Sequence, residues 1–281
     1  MTRPTLVTAS IPRSGNVYLV SLLSACLDGR GREGGPGAWL CPRGAACCET
    51  LPCTQKRWRP LAIVRTHDER LDYRQDAGAV YVVQYREPLG HFLSRAELAA
   101  EHDGRFAERD AAYHAWWAAT VADYAVGFLE RWVLGAGPPR TLLAYESLQG
   151  DPAGAVSTVL AAAGLNVPAE RIAEVVIALS GVRALRAKKT TRDPVYRTRD
   201  PGQSTVVPMA LAKAYEAHLR ARTAFVAWPA ALSPLDPDPA FDALVADATR
   251  LRTGAPGPAF RAASDNPWAQ RSFARRARRD A

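Results

Sequence analysis

Short β-branched apolar runs alternate along the chain with longer stretches in which apolar residues recur every three to four positions. Residues 6–10 (LVTAS) read as a buried strand and residues 16–27 as an amphipathic helix, joined by the turn Ile11-Pro12-Arg13-Ser14-Gly15. Residues 61–65 read as a second strand, and residues 80–84 (VYVVQ) as a third, with the β-branched content of a strand covered on both faces. The spacing predicts a helix over 87–100, with Pro88 in the first turn, where its missing N–H is harmless. A longer helix is predicted over 111–133, whose Trp116, Trp117, Tyr124, Phe128 and Trp132 read as core. Residues 141–144 read as a fourth strand. Asp151-Pro152 carries the start signals of a helix that Gly164 closes, and residues 168–179 form another, closed by Gly181. Residues 183–199 are basic and turn-like, and 208–221 are helical again. Strands alternating with helices predict an α/β fold, a parallel sheet with helices on both faces.

Two stretches break this rhythm. Residues 28–60 are rich in Gly, Pro, Cys and Arg without a period, and read as an irregular excursion. Beyond residue 222 the chain turns Pro- and Ala-rich, with DPDP at 236–239 and five Arg in the nine residues RSFARRARR. The expected organisation is a core domain over 1–222 and a partly ordered extension over 223–281. The Arg cluster at the end reads as a solvated tail or as a contact for a membrane surface or nucleic acid.

Composition narrows the class. At 281 residues, 48% apolar and 23% charged, the chain is neither wholly disordered nor collagen-like. No stretch approaches the roughly 18 apolar residues of a spanning helix. The opening MTRPTLVTAS is too short and polar for a secretion signal, so a cytoplasmic location is expected. The net charge is +8; of 36 Lys+Arg only four are Lys, leaving 32 Arg. The Arg fork suits phosphate and sulfate oxygens, although GC-rich coding produces the same bias. Cys41, Cys47, Cys48 and Cys53 cluster with a C-x5-C-C-x4-C spacing that matches no common zinc pattern. Reduced cysteines, a local redox-sensitive disulfide and a structural metal all remain open; a reducing compartment disfavours the second.

The chemistry begins at the first turn. Gly15 lets backbone approach an anion closely, the N–H groups opening the following helix point toward it, and Arg13 adds a fixed charge. The turn is not a Walker A loop, because G-x-x-x-x-G-K-[ST] is absent. The segment SIPRSGNVYL instead resembles the 5′-phosphosulfate loop of sulfotransferases that use 3′-phosphoadenosine 5′-phosphosulfate (PAPS). Arg13, Ser14, Gly15 and Asn16 match that pattern; Val17 and Tyr18 replace its Thr and Trp. The Val17 departure removes a hydroxyl, and Tyr18 retains a ring able to stack on adenine.

Further segments follow in the family's order. Ile63-Val64-Arg65-Thr66-His67 resembles its strand end, where the His is the catalytic base and the basic residue contacts the transferring group. Residues 81–88 (YVVQYREP), with Ser94 on the next helix, resemble the 3′-phosphate motif, with Arg86 and Ser94 as the gripping pair. Residues 143–148, then Asp151-Pro152, resemble the Tyr-Glu-Asp-Leu…Asp-Pro segment, whose Tyr, here Tyr145, contacts the adenine side. Arg197, Thr198 and Arg199, ahead of Gly202, are the weakest match, to a loop closing over the 3′-phosphate; Arg192, Lys188 and Lys189 are nearby alternatives.

The resemblance spans about residues 5–220. It implies a P-loop-like α/β fold and an enzyme that moves a sulfuryl group from PAPS to a hydroxyl on a glycan, glycolipid or small molecule. It implies His67 as base, Arg13 on the 5′-phosphate and bridging oxygen, Arg65 on the sulfuryl oxygens, and no metal. On the residues alone, Arg65 pairing with Asp68 or Glu69 and Arg86 pairing with Glu87 remain alternatives, while His91, His102, His114 and His218 read as structural or exposed. Two rival functions are a small-alcohol kinase of P-loop type, disfavoured by the missing Walker Lys, and a non-catalytic module binding an anionic polymer, which has no need of a histidine at a strand end.

Overall fold

The structure is a computed structural model; it describes residues 5–27, 38–40, 49–52, 63–69, 71–189, 206–223 and 238–253, the side chains of 38–40 and 181–189 excepted. The described elements run β1 (Leu6–Ser10), α1 (Asn16–Cys26), β2 (Ala38–Leu40), β3 (Thr50–Leu51), β4 (Ile63–Thr66), β5 (Arg74–Gln75), β6 (Val80–Tyr85), α2 (Pro88–His102), α3 (Ala111–Leu129), β7 (Arg140–Ala144), α4 (Tyr145–Gly150), α5 (Pro152–Ala162), α6 (Ala169–Lys189), α7 (Met209–Thr223) and α8 (Pro239–Arg252). A 3₁₀ turn (Phe106–Glu108) precedes α3, and a π-helical turn (Glu130–Leu134) ends it. The fold is α/β. Five parallel strands in the order β2-β4-β1-β6-β7 make the main sheet, and β3 and β5 pair beside it.

The two-residue period of the strands divides the core between the faces. Val7, Ala9, Val64, Tyr81 and Val83 look toward Phe92 of α2, Phe128 of α3, Trp132 and Tyr215 of α7. Leu6, Ile63, Val82 and Leu143 look toward Leu19 and Leu23 of α1, Val156 and Leu160 of α5, and Ile172 of α6. All five residues of β1 are buried, as its central place in the sheet requires. The carboxyl ends of β1, β4, β6 and β7 therefore open on one edge of the sheet, where parallel α/β folds bind ligands.

The structure departs from the sequence reading in four places. Two short strands lie inside the stretch read as irregular: β2 extends the main sheet beside β4, and β3 pairs with β5. Pieces of two or three residues are too short to show a period. Helix α6 runs through Gly181 to Lys189 instead of stopping; an interior Gly costs a helix only about 1 kcal/mol and needs no left-handed turn. Tyr145–Gly150 is a separate helix, α4, directly after β7. Within the segment read as an extension, 239–252 form α8, with Asp238 capping and Pro239 opening it. Phe241, Val245 and Ala248 of α8 join the core. Buried Asp123 of α3 fastens it, accepting from Arg252 Nε at 2.5 Å and Thr249 Oγ1 at 2.6 Å.

Candidate active site

The turn between β1 and α1 is held from within. Ser14 Oγ donates to the Ile11 carbonyl at 2.7 Å, and Gln84 Nε2 donates to the Ser14 carbonyl at 3.2 Å. Arg86 Nη1 donates to the Arg13 carbonyl at 3.2 Å. The backbone turns left-handed at Arg13 (φ 73°) and at Gly15 (φ 80°). For a non-glycine residue that conformation costs about 1–3 kcal/mol, a strain that clusters at functional turns. The first turn of α1 has no side-chain cap, and its N–H groups lack intrahelical acceptors. With their positive dipole end they form a cradle for an anion. A Cβ at Gly15 would stand 2.9 Å from Tyr145 Cδ2, so only glycine fits here.

Around this loop the strand ends deliver cations. Arg13 Nε donates to Ser94 Oγ at 2.9 Å. The Arg86 guanidinium lies over the Tyr145 ring with its carbon 4.2 Å from the centroid, and its buried Nε has no hydrogen-bond partner among the described residues. The Glu87 carboxylate caps α2, accepting from Leu89 N and Gly90 N. Arg65 at the end of β4 also has a buried Nε without a partner among the described residues, and burial lowers its pKa. The neighbouring Asp68 carboxylate is taken by Arg131 Nε at 3.1 Å and Trp132 Nε1 at 2.9 Å. Orphaned, buried guanidinium donors are costly unless an anion completes them.

His67 follows directly on β4. Its Nδ1 lies 2.9 Å from the Ser10 carbonyl and 3.2 Å from Ser10 Oγ. A carbonyl only accepts, so Nδ1 carries the proton and Nε2 keeps the lone pair. Burial pulls the His67 pKa down to about 4, with Arg65 and Arg95 adding to the shift and the Ser10 hydrogen bond opposing it. His67 is therefore neutral at pH 7. Asn16, 4% exposed, donates from Nδ2 to Ser10 Oγ at 2.8 Å, tying the loop to the histidine through one serine. The other flank is fixed by Tyr124, whose hydroxyl donates to the His67 carbonyl, and by Asp68, whose own N–H donates to Thr66 Oγ1 at 2.9 Å.

Arg13, Ser14, Gly15, Asn16, His67, Arg65, Arg86, Ser94 and Tyr145 thus converge on one sheet edge. The Ser14 and Asn16 side chains are turned inward, so only their backbone N–H groups face the cradle. Val17 is 37% exposed at the start of α1. Tyr18 is half-buried and its hydroxyl reaches Ser180 Oγ at 3.5 Å. Arg197, Thr198, Arg199 and the clustered Cys41, Cys47, Cys48 and Cys53 lie outside the described residues, as does the terminal Arg cluster. His91 bonds Tyr215, His114 bonds the Phe106 carbonyl and His218 bonds Asp242. Sequence reasoning missed Ser10 and Arg95, the part played by Tyr124, which it took as core, and that of Asp68, which it read only as a possible partner for Arg65. Ser10 was the most findable, as the strand residue beside the turn.

Among the described residues, no group of three or more His, Cys, Asp or Glu is arranged to hold a metal ion, and no helix is long and apolar enough to cross a membrane. No protein-family model matches the chain, and no curated protein matches it. Among solved structures, the chain is similar to mouse sulfotransferase SULT7A1 complexed with PAP, at 14% identity and a TM-score of 0.50. The match covers 79% of this chain and 84% of that one. At that identity the likeness speaks for the fold: the chain has the P-loop-like α/β architecture of a sulfotransferase structure.

Proposed function

We propose that this protein is a PAPS-dependent sulfotransferase acting on a hydroxyl-bearing acceptor. One observation carries the reading: an uncapped helix N-terminus, two arginines with buried unpartnered Nε atoms and a neutral histidine meet at the carboxyl edge of a parallel sheet. The residues fit the donor. The N–H groups of 14–18 and Arg13 would hold the 5′-phosphosulfate, Arg86 and Ser94 the 3′-phosphate, and Tyr18 and Tyr145 the adenine side, with Arg197, Thr198 and Arg199 as further 3′-phosphate contacts. When bound, PAPS supplies the sulfuryl group, and its bond from sulfur to the 5′-phosphate oxygen breaks with the electron pair remaining on the phosphate.

In this mechanism His67 Nε2 takes the proton of the acceptor hydroxyl as its oxygen bonds to sulfur. The Ser10 carbonyl, accepting from Nδ1–H, holds the ring in the basic tautomer and steadies the imidazolium that forms. Arg65 balances charge on the sulfuryl oxygens, and Arg13 the charge growing on the bridging oxygen. The test is a titration with adenosine 3′,5′-bisphosphate (PAP), adenosine 5′-phosphate (AMP) and ATP. PAP is expected to bind well ahead of the other two; equal affinities, or a preference for ATP, would refute the reading.

A further inference from the structure

Strand β6 ends beneath the turn between β1 and α1, and its side chains change character there. Val82 packs into the apolar layer under α1. Two residues on, and so on the same face of the strand, stands Gln84, wholly buried and in register with Ser10 of β1. Its backbone carbonyl accepts from Ile11 N at 3.2 Å, which carries the sheet ladder one residue past the end of β1. Its side chain reaches further into the turn, where Nε2 donates to the Ser14 carbonyl at 3.2 Å. A carbonyl only accepts, so the amide nitrogen is the atom that faces Ser14. The amide oxygen, Oε1, is buried with no hydrogen-bond partner among the described residues. A half-satisfied amide in an otherwise apolar strand is unfavourable for the fold, and an apolar side chain at this place would leave no orphaned oxygen.

The bond bears on the loop through the geometry of the peptide unit. In a planar trans peptide the C=O and the following N–H point in opposite directions. The Ser14 carbonyl shares its unit with the Gly15 N–H, and the Arg13 carbonyl shares its unit with the Ser14 N–H. Gln84 holds the first carbonyl toward β6, and Arg86 Nη1 holds the second at 3.2 Å. Both N–H groups are thereby turned the other way, to the side where α1 opens its cradle. The residues flanking Ser14 are left-handed, Arg13 at φ 73° and Gly15 at φ 80°, so this stretch is strained at Arg13. Rotation of the Ser14–Gly15 unit would exchange its two ends and present a carbonyl to the anion in place of an N–H.

We infer that Gln84 is a positioning residue for the donor: through the Ser14 carbonyl it keeps the Gly15 N–H aimed at the 5′-phosphate end of the nucleotide, and it leaves its own amide oxygen unsatisfied to do so. The inference rests on the sulfotransferase reading and deepens it, adding a residue of β6 that acts on the donor only through the loop.

The test uses the full chain and three ligands in calorimetry: PAP, AMP, which carries only the 5′-phosphate, and adenosine 3′-phosphate, which carries only the other. Gln84→Met keeps the reach of the side chain and removes both the donor and the orphaned oxygen. PAP and AMP are expected to bind the variant about 10-fold more weakly, the worth of one hydrogen bond, while adenosine 3′-phosphate affinity and the thermal midpoint stay near their wild-type values. A merely structural role predicts a lowered midpoint and equal losses for all three ligands. Proton–nitrogen correlation spectra of the wild type give a reading that needs no variant: the Gly15 amide proton should move downfield with AMP and stay in place with adenosine 3′-phosphate. Should Gln84→Met fail to fold, that spectral comparison decides the matter. Three results overturn the inference: undiminished AMP affinity in a folded Gln84→Met, equal weakening of AMP and adenosine 3′-phosphate, or a Gly15 amide that AMP does not move. Failure of the wild type to bind PAP at all would overturn the sulfotransferase reading as well; PAP binding with any of those three results overturns this inference alone.

Discussion

His67 offers a test whose size comes from the structure. In an unfolded chain the imidazole titrates near 6.5; in the fold, burial and the nearby Arg65 and Arg95 charges bring it down to about 4. At about 1.4 kcal/mol per pH unit, that difference is worth about 3 kcal/mol between the two protonation states. The folded pKa is the depressed one, so the unfolded chain binds the proton more readily. The contribution to stability is complete above pH 6.5, is lost progressively as pH falls from 6.5 to 4, and is fully lost below 4. His67→Gln removes the titration and keeps a side chain able to donate to the Ser10 carbonyl. Urea unfolding of both proteins between pH 7.5 and 4 should show the wild type losing about 3 kcal/mol more than the variant. His91 titrates in both, so its own acid sensitivity cancels in the comparison. Parallel curves would refute the buried, neutral histidine.

The same depressed value shapes activity. The acidic limb of the transfer rate in the free protein should lie near pH 4 instead of near 6.5, because His67 already holds its lone pair across the neutral range. Bound PAP brings negative charge that offsets Arg65 and Arg95. The His67 pKa, followed by ring NMR shifts, should therefore rise on PAP binding. His67→Ala should leave PAP affinity near wild type while single-turnover transfer falls by about 10²–10⁴-fold. A folded variant that binds PAP and transfers at the wild-type rate would end the role as base.

Arg86→Ala should weaken PAP far more than AMP, by about 1.5–3 kcal/mol in the difference, because the 3′-phosphate is the group it is assigned; Ser94→Ala should act in the same direction, and equal losses for both nucleotides in calorimetry would remove the assignment. Gly15→Ala should abolish measurable PAP binding, since its Cβ meets Tyr145 at 2.9 Å at a φ of 80°; retained affinity would show that the loop yields. Ser10→Ala should remove the Oγ link between Asn16 and His67 and lower the single-turnover rate with PAP affinity kept, a loss that Ser10→Thr should largely restore; a Ser10→Ala variant as fast as wild type would refute that link. A chelator strong enough to strip zinc should leave the transfer rate unchanged, and loss of turnover in a still-folded protein would show that the clustered cysteines hold a metal the reaction needs.

How much of this could be read from the sequence depended on how local the determining physics was. The loop of residues 11–16 was legible because strand, turn and helix N-terminus are contiguous, and a cradle of backbone N–H groups needs no distant partner. The ends of β4 and β6 were legible for the same reason: Arg65, His67 and Arg86 stand one to three residues past an apolar run. Tyr124 was not legible, because the pattern that puts an aromatic ring on a helix's buried face also puts its hydroxyl wherever the neighbouring strand happens to end, here on the His67 carbonyl. Asp68 was read only as a possible partner for Arg65; its charge is instead spent on Arg131 and Trp132, 63 and 64 residues away in the chain. That choice has a functional consequence. By removing Asp68 from Arg65, the fold leaves a cation beside the histidine whose buried Nε has no hydrogen-bond partner among the described residues. Had Arg65 and Asp68 paired, the site would hold less positive charge for an anionic donor, and the His67 pKa would lie closer to its ordinary value. The long-range pairing of Asp68 with Arg131 and Trp132 therefore does two things: it anchors the segment after His67, and it keeps the local positive charge that the proposed donor and base would require.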